Sequence, residues 1–234
     1  MPKNKLQRFA ELKTFSNVFE FLFIERETDF KLQGKWNSEY FKNNNPIVLE
    51  LGCGKGEYSI GLAEKYPQKN FIGIDIKGAR IWKASKNTQE KNLHNVCFLR
   101  TQIEFIERCF AKNEVGEIWI TFPDPQPNKE KKRLTHSVFL NRYKNILQQK
   151  GIVHLKTDSV ELHEFTLDVI SPSPSLPQGK GENSCKLLCA TKDLYGSNSL
   201  SLGEGCGEAQ SIQTYYEKLF TAQGKKITYM KFQL

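Results

Sequence analysis

The chain has 234 residues, a formal net charge of +8 and a pI of about 9.1. This length suits one large α/β domain with an appendage, and the positive charge suits a polyanionic partner without indicating a fold. The first residues lack the apolar core of a signal peptide, and no apolar run is long enough to span a bilayer. We therefore expect a cytoplasmic protein without a membrane partner.

Alternating apolar runs and amphipathic segments indicate the fold class. Residues 1–45 are basic with aromatic interruptions, which indicates an N-terminal arm before a main domain over 46–234. Strands alternating with helices predict parallel βαβ units, and hence a doubly wound, mostly parallel, Rossmann-like α/β sheet. Strands are predicted at 47–51, 71–75, 96–99, 117–122 and 152–156, and helices at 58–66, 79–92, 103–110, 136–149 and 159–170.

Two low-complexity segments interrupt this pattern, near 171–184 and 200–210. They are rich in Ser, Pro, Gly and Glu, which predicts surface insertions without a packed core. Around the second insertion, the sequence predicts a strand at 185–195, a helix at 214–222 and a strand at 226–234. We expect the last two strands to form an antiparallel C-terminal edge of the sheet.

A glycine-rich turn follows the first predicted strand. Gly52, Gly54 and Gly56 occupy every second position, preceded by Glu50 and followed by Glu57. A dinucleotide fingerprint would place its third glycine at position 57, and a carboxylate there sits badly beside a pyrophosphate. A cofactor with a cationic sulfonium and no phosphate fits better, which indicates S-adenosylmethionine and disfavours a nicotinamide dehydrogenase. The simpler alternative is a strand-to-helix turn that needs glycine only for its geometry.

The surrounding acidic residues suggest how such a cofactor is held. Gly52, Gly54 and Gly56 let the backbone turn tightly beneath the methionine part. Asp75 ends the next apolar run, where its carboxylate can accept hydrogen bonds from the ribose hydroxyls. Glu50 either orients the glycine turn or meets the ammonium group of the cofactor through water.

A second group of polar residues follows the fourth predicted strand. Pro123, Pro125 and Pro127 stiffen a loop that carries Asp124. A fixed carboxylate beside cations suits a nucleic-acid substrate, because cations hold phosphate while the carboxylate meets a base. The alternative is an ordinary solvated loop. The cations that follow are Lys129, Lys131, Lys132 and Arg133.

Three cysteines are candidate metal ligands. Cys185, Cys189 and Cys206 lack an evident fourth ligand, and the first two flank a strand-like run. We therefore expect no metal site.

Four motifs in one order extend this interpretation: Glu50–Gly56, Phe122–Pro125, Lys156–Asp158 and Thr214–Glu217. Together they resemble the bacterial tRNA (guanine-N7-)-methyltransferases. The resemblance runs from about Arg8 to the C-terminus, apart from the two insertions. It implies methyl transfer from S-adenosylmethionine to N7 of guanine 46 in the variable loop of tRNA. It implies no obligatory protein partner, and a monomer or homodimer.

The resemblance also implies roles for particular residues. Glu50 and Asp75 bind the cofactor, and Gln102 contacts its adenine end. Asp124 is the catalytic residue and serves both the cofactor and the target guanine. The implied tRNA contacts are Asn128, Lys129, Lys131, Asp158, Thr214, Tyr215, Tyr216 and Glu217.

Two positions depart from the family pattern. Many members have Trp where this chain has Gln126, and Lys where it has Asn128. Lys129 or Lys131 can take over the missing lysine contact.

Some implied roles have simpler alternatives. Asp158 with Glu161, and Thr214 with Glu217, match helix-capping signatures, and Gln102 can be a plain helix-start residue. Two other functions also stay open. One is methyl transfer to another RNA, a protein or a small molecule. The other is nucleic-acid binding by a vestigial cofactor fold.

Overall fold

A computed structural model describes residues 3–171, 185–196 and 207–234. The chain divides into two compact units, Met1–Gly116 and Glu117–Leu234. The insertion predicted near 171–184 and most of the one near 200–210 lie outside the described residues. Within the described part of the chain, no helix is both long and apolar enough to cross a bilayer.

The first unit contains the N-terminal segment and the first parallel strands. Its helices are α1 (Lys3–Leu12), α2 (Glu57–Lys65), α3 (Gly78–Glu90) and α4 (Ile106–Cys109). Its strands are β1 (Val18–Glu20), β2 (Ile47–Leu51), β3 (Asn70–Asp75) and β4 (Val96–Arg100). Short 3-10 turns at Phe23–Glu25 and Ile103–Phe105 and a π-helical turn at Trp36–Phe41 complete the unit.

The strands of this unit lie in the order β1-β4-β3-β2, and each neighbouring pair is parallel. β2 and β3 are buried along their whole length, which explains why their sequences are apolar without alternation. In this register Leu51 pairs with Ile74, and Asp75 pairs with Arg100. The carboxyl ends of three strands therefore meet at one edge, where open α/β sheets bind ligands.

Residues before position 46 contribute to the core of the first unit. α1 packs on α3 through Glu11, whose carboxylate accepts a hydrogen bond from the Trp82 indole at 2.8 Å. Trp36 is fully buried, and its ring stacks on Phe110 with 5.5 Å between centroids. Aromatic rings from the same N-terminal segment surround it: Phe19, Phe30 and Tyr40. The aromatic residues thus order this segment by packing.

The second unit contains the antiparallel edge. Its strands are β5 (Val115–Thr121, whose first two residues belong to the first unit), β6 (Leu147–Thr157), β7 (Lys186–Thr191) and β8 (Thr228–Gln233). Its helices are α5 (Ser137–Ile146), α6 (Val160–Ile170), α7 (Gly207–Gln210) and α8 (Tyr215–Ala222), with a 3-10 turn at Glu130–Lys132. The strand order is β5-β6-β8-β7, and β8 runs antiparallel to both β6 and β7.

This arrangement confirms the predicted fold class, a doubly wound, mostly parallel α/β sheet with an antiparallel C-terminal edge. Several predicted boundaries are wrong. The strand expected to begin at position 152 begins at Leu147, and the strand expected to reach position 195 ends at Thr191. The helix expected to reach Gln149 ends at Ile146, because Leu147 takes an extended conformation and buries its side chain as the first residue of β6.

His154 lies inside β6 and is fully buried. Its Nδ1 lies 2.7 Å from the Tyr229 hydroxyl, and its Nε2 lies 3.1 Å from the Glu117 carboxylate. Its ring stacks on the Trp119 indole at 3.7 Å between centroids. Burial lowers the pKa of His154 below its ordinary 6.5, and the nearby Glu117 carboxylate opposes that shift only in part.

The lowered pKa of His154 predicts acid sensitivity. The unfolded chain takes up the proton first, so stability is full above about pH 6.5 and falls as pH drops below it. The melting temperature of the wild-type protein should fall between about pH 7.5 and about pH 5.5. The variant His154→Phe keeps a ring on Trp119 and should show a smaller drop. An equal drop in both proteins would contradict the assignment. Burial also lowers the pKa of His163, so the melting temperature of the His154→Phe variant should still depend on pH to some extent.

Candidate functional site

The turn between β2 and α2 is built on left-handed backbone conformations. The φ angles of Gly52, Gly54 and Gly56 are +75°, +57° and +73°, a region that L side chains rarely adopt. The amides of Gly52 and Cys53 donate to the Ile74 carbonyl at 2.8 and 2.9 Å. These bonds tie the turn to β3. The backbone conformation of this turn therefore requires glycine, as the simpler alternative stated.

The three glycines differ in what surrounds them. A Cβ added to Gly56 would lie 2.8 Å from both Ala84 and the Phe98 ring, so this glycine is required for close packing. A Cβ added to Gly52 or Gly54 would meet nothing within 4 Å. Open space beside these two residues lets a ligand approach the backbone closely, which fits a cofactor held by the turn.

Glu50 lies on β2 and is 3 % exposed. Its carboxylate accepts hydrogen bonds from both the amide (2.8 Å) and the hydroxyl of Ser59, in the first turn of α2. A carboxylate at a helix N-terminus satisfies a donor that has no partner within the helix. Glu50 thus holds the first turn of α2, while orientation of the glycine turn and contact with the ammonium of a cofactor both stay predictions.

Asp75 ends β3 and is 6 % exposed. One carboxylate oxygen accepts from the Gly54 amide at 3.0 Å, and the other accepts from the Lys77 amide at 2.7 Å. Each carboxylate oxygen can accept more than one hydrogen bond, so Asp75 retains acceptor capacity for a ribose hydroxyl. The residue therefore fixes the glycine turn and is placed to meet a ligand at the same edge.

Gln102 lies two residues beyond β4, which pairs with β3 so that Arg100 is opposite Asp75. Its carbonyl accepts from the Phe105 amide at 3.0 Å, which confirms that it begins the 3-10 turn. Its side chain makes no capping hydrogen bond. The structure thus brings Gln102 to the same edge as Asp75, and the adenine contact stays a prediction.

The Asp124 loop in the second unit is strained and exposed. Phe122 and Gln126 both have φ of +46°, which is uncommon for residues other than glycine and is often found at functional sites. One Asp124 oxygen accepts from the Gln126 amide at 3.0 Å. The Asp124 carboxylate is exposed to solvent. A carboxylate held this way can accept hydrogen bonds from an incoming base.

Arg133 does not belong to the exposed cationic group, so the expectation that it contacts phosphate is wrong. Its side chain is 2 % exposed, and Nε donates to the Pro125 carbonyl at 3.0 Å. The guanidinium also pairs with Glu161 and lies 4.5 Å from the Phe165 ring centroid. The planar guanidinium offers several fixed donors, which suits it to bracing the Asp124 loop from inside.

The remaining cations of this loop face solvent and are available for phosphate. They line an open groove together with polar and apolar neighbours. Its lining residues are Pro127, Asn128, Lys129, Glu130, Lys131 and Lys132.

Asp158 follows β6 and forms an ion pair with Lys225 at 3.0 Å. The alternative role of Asp158 as a helix cap is wrong, because Ser159 is the N-cap of α6 and accepts from the Leu162 amide at 3.2 Å. Glu161, its expected capping partner, pairs with Arg133 instead. A tRNA contact by Asp158 stays a prediction.

Thr214 and Glu217 form the capping box at the start of α8. The Glu217 side chain is fully buried, 2.7 Å from the Lys156 ammonium and 2.6 Å from the Tyr195 hydroxyl. The capping alternative is thus confirmed for this pair, and the carboxylate of Glu217 faces protein rather than solvent. Tyr215 and Tyr216, between them in sequence, are 61 % and 54 % exposed.

Three possible metal ligands do cluster in the second unit. Donor atoms of Glu117, His154 and Glu208 lie within 4.8 Å of one another. Both carboxylates already have partners in the protein. The Trp119 indole donates a hydrogen bond to Glu117, and the Lys231 ammonium lies 3.7 Å from the Glu208 carboxylate. We assign no ion to this cluster, and the expected lack of a metal stays a prediction.

Comparisons with known proteins define the class to which this fold and turn belong. A family model described as "Putative methyltransferase" matches residues 44–230. A 30S ribosomal A1408 methyltransferase from an uncultured bacterium superimposes with a TM-score of 0.56 at 16 % identity, covering 88 % of this chain and 97 % of that one. The latter similarity reflects the fold alone. The chain is thus a Rossmann-like methyltransferase.

Curated relatives define the family more narrowly. A tRNA (guanine-N(7)-)-methyltransferase of Christiangramia forsetii (strain DSM 17595 / CGMCC 1.15422 / KT0803) is 52 % identical over 99 % of this chain and 98 % of its own. Its counterpart in Bacteroides fragilis (strain YCH46) is 44 % identical over 100 % of this chain and 87 % of its own. The chain belongs to the tRNA (guanine-N7-)-methyltransferase family.

Sequence reasoning missed the role of one residue of the quoted motifs. Lys156 is buried and contacts the segment that leads into α8. A signal was present, since a lysine near the end of an apolar strand must find buried acceptors or a buried carboxylate. Its partner Glu217 is 61 positions away in the sequence, so the pairing could not be read from spacing.

The different surroundings of the glycines predict different costs of substitution. Gly56→Ala combines a left-handed conformation with a clash and should lower the free energy of unfolding by about 2–4 kcal/mol. Gly54→Ala adds only conformational strain and should cost about 1 kcal/mol, but it should weaken S-adenosylmethionine binding at least about tenfold by filling the open space. Denaturant unfolding and calorimetric titration measure the two effects. Equal stability loss in both variants, or undiminished cofactor binding by Gly54→Ala, would contradict this account.

Proposed function

We propose that this chain transfers the methyl group of S-adenosylmethionine to N7 of a guanine in the variable loop of tRNA. The observation that carries the proposal is 52 % identity, over nearly the full length of both chains, to a protein named tRNA (guanine-N(7)-)-methyltransferase. The glycine turn with Asp75, and the exposed Asp124 loop, supply groups suited to that chemistry. Position 46 of the tRNA is the expected target, and the cytoplasm the expected location.

The first unit would hold the cofactor. Gly52 and Gly54, which have open space beside them, would border the methionine part; Asp75 would accept from the ribose hydroxyls, and Gln102 would contact the adenine. Glu50 fixes the start of α2 from below the turn. When bound, S-adenosylmethionine supplies an electrophilic methyl group, which guanine N7 can take with its own lone pair, so the chain needs no general base.

Asp124 is the residue to which we assign the catalytic role. Methylation at N7 leaves positive charge on the purine, and a preorganised carboxylate stabilises that developing charge. The same carboxylate can accept from guanine N1–H and the exocyclic amine, which adenine does not present in that arrangement. The Gln126 amide and the positive φ angles of the loop hold Asp124 in place for this contact.

The tRNA contacts we propose lie on exposed groups of the second unit. Lys129 and Lys131 hold phosphates, with Asn128 beside them and Asp158 at the end of β6. Tyr215 and Tyr216 offer exposed rings on which unpaired bases can stack. Thr214 and Glu217 support this surface from within through the capping box. We propose that the enzyme acts as a monomer or homodimer without an obligatory protein partner.

The catalytic role predicts a large effect of Asp124→Asn. The amide oxygen can still accept from the Gln126 amide, so the loop should keep its conformation. Loss of the charge should lower kcat by about two to three powers of ten. Transfer of labelled methyl groups to unmodified tRNA, under saturating conditions, measures this change.

The control for that experiment is Asp168→Asn, which neutralises an exposed carboxylate on α6 in the same unit. It should leave kcat within about twofold of wild type, since isolated surface charges contribute little. Near-normal turnover in Asp124→Asn, with the control also normal, would overturn the catalytic assignment.

Phosphate contact predicts a dependence on salt. The double variant Lys129→Gln/Lys131→Gln should weaken tRNA binding and reduce the slope of log Kd against log salt by about 1–2. Lys150→Gln removes an exposed lysine near the opposite end of β6 and should leave the slope unchanged. Fluorescence anisotropy over a salt series measures both. A wild-type affinity that does not change with salt would argue against a nucleic-acid substrate.

A further inference from the structure

Lys156 is a buried cation near the carboxyl end of β6, and its side chain is fully buried. Its ammonium donates to the carbonyls of Ala209 at 2.6 Å and Ile212 at 3.0 Å, and it lies 2.7 Å from the Glu217 carboxylate. The Tyr195 hydroxyl, at 3.5 Å, is a fourth and more distant acceptor. An ammonium has three hydrogens, so the three closer acceptors satisfy it. These three closer acceptors lie in the stretch that runs from α7 through the first turn of α8. The side chain therefore ties that whole segment to β6.

The backbone of the same residue reaches the Asp124 loop. The Lys156 carbonyl accepts from the Phe122 amide at 2.8 Å, two residues before Asp124. The Phe122 ring in turn lies 6.0 Å from the ring of Phe220 on α8. Lys156 thus contacts both the loop proposed to bind guanine and the segment that carries the exposed tyrosines.

Glu217 completes the arrangement from the α8 side. Its carboxylate accepts from the Tyr195 hydroxyl at 2.6 Å and from the Thr214 amide at 3.3 Å. Desolvation lowers the pKa of Lys156, and the Glu217 carboxylate opposes that shift. Buried ion pairs often give no more stability than well-packed apolar residues would. Stability alone therefore does not account for a lysine at this position. Holding the segment from α7 to the first turn of α8 against β6 does account for it.

We propose that Lys156 is a positioning residue for tRNA recognition. Its ammonium fixes α8, and with it the Tyr215–Tyr216 pair, in a set place relative to the Asp124 loop. Bases of the tRNA that stack on these rings then approach with guanine directed at Asp124. The inference rests on the proposed function, because it requires a tRNA substrate.

The test is the variant Lys156→Met, which keeps an unbranched side chain and removes the ammonium. We expect KM for tRNA to rise about tenfold, since loosened stacking residues bind less tightly. We expect kcat at saturating tRNA to stay within about threefold of the wild-type value, because the backbone hydrogen bond to Phe122 remains. The affinity for S-adenosylmethionine should not change. The control is Leu140→Ala, which shortens a buried side chain on α5. It should lower the melting temperature without raising KM for tRNA.

A second variant guards against misfolding, since Lys156→Met leaves the Glu217 carboxylate buried without a cation. Lys156→Met/Glu217→Gln removes both charges and should regain stability. Because Ala209 and Ile212 still lose their donor, KM for tRNA should stay raised. A KM that returns to the wild-type value as stability returns would overturn the positioning role.

Hydrogen exchange in the protein without tRNA gives an independent readout. Amides of residues 207–222 should exchange at least about tenfold faster in Lys156→Met, while those of α5 should not change. If wild-type protein methylates no tRNA, the proposed function fails and the inference falls with it. If wild-type protein methylates tRNA and Lys156→Met matches it in KM, only the inference is overturned.

Discussion

A charged group that leaves water must be matched by hydrogen bonds, and this constraint shapes the strand ends of both units. Most of the charged side chains at these positions form hydrogen bonds with backbone groups of loops and helices. Glu50 and Asp75 accept backbone amides at the ends of β2 and β3, and Lys156 donates to backbone carbonyls beyond β6. Each bond fixes a loop where parallel strands place ligands.

The same constraint separates structural charges from those left for substrate. The Arg133 side chain is buried because the Pro125 carbonyl and the Glu161 carboxylate pair with it. The Lys156 side chain is buried because two backbone carbonyls and the Glu217 carboxylate pair with its ammonium. Lys129 and Lys131 stay in solvent, where they can meet phosphate. Asp124 also stays exposed on a strained loop, so its charge is available to a purine that becomes positive.

The sequence was informative where a local pattern determines structure. Buried parallel strands read as apolar runs, the three glycines marked the left-handed turn, and Thr214 with Glu217 matched a capping box that forms. It was less informative where distant residues decide. Asp158 carries a capping signature, yet Ser159 caps the helix, and Glu161 is drawn to Arg133. No local pattern distinguishes Arg133 from the neighbouring lysines, because its burial depends on Pro125 and Phe165.

The central claim is that the methyl group reaches guanine N7 in the tRNA variable loop. The most direct test is methyl transfer to unmodified tRNA transcripts, followed by borohydride reduction and aniline cleavage, which cuts the chain at 7-methylguanosine. The account predicts one cleavage, in the variable loop, that disappears when that guanine is replaced. Label without cleavage, or cleavage at another position, would contradict the assigned atom or site, and no label despite cofactor binding would require a different methyl acceptor.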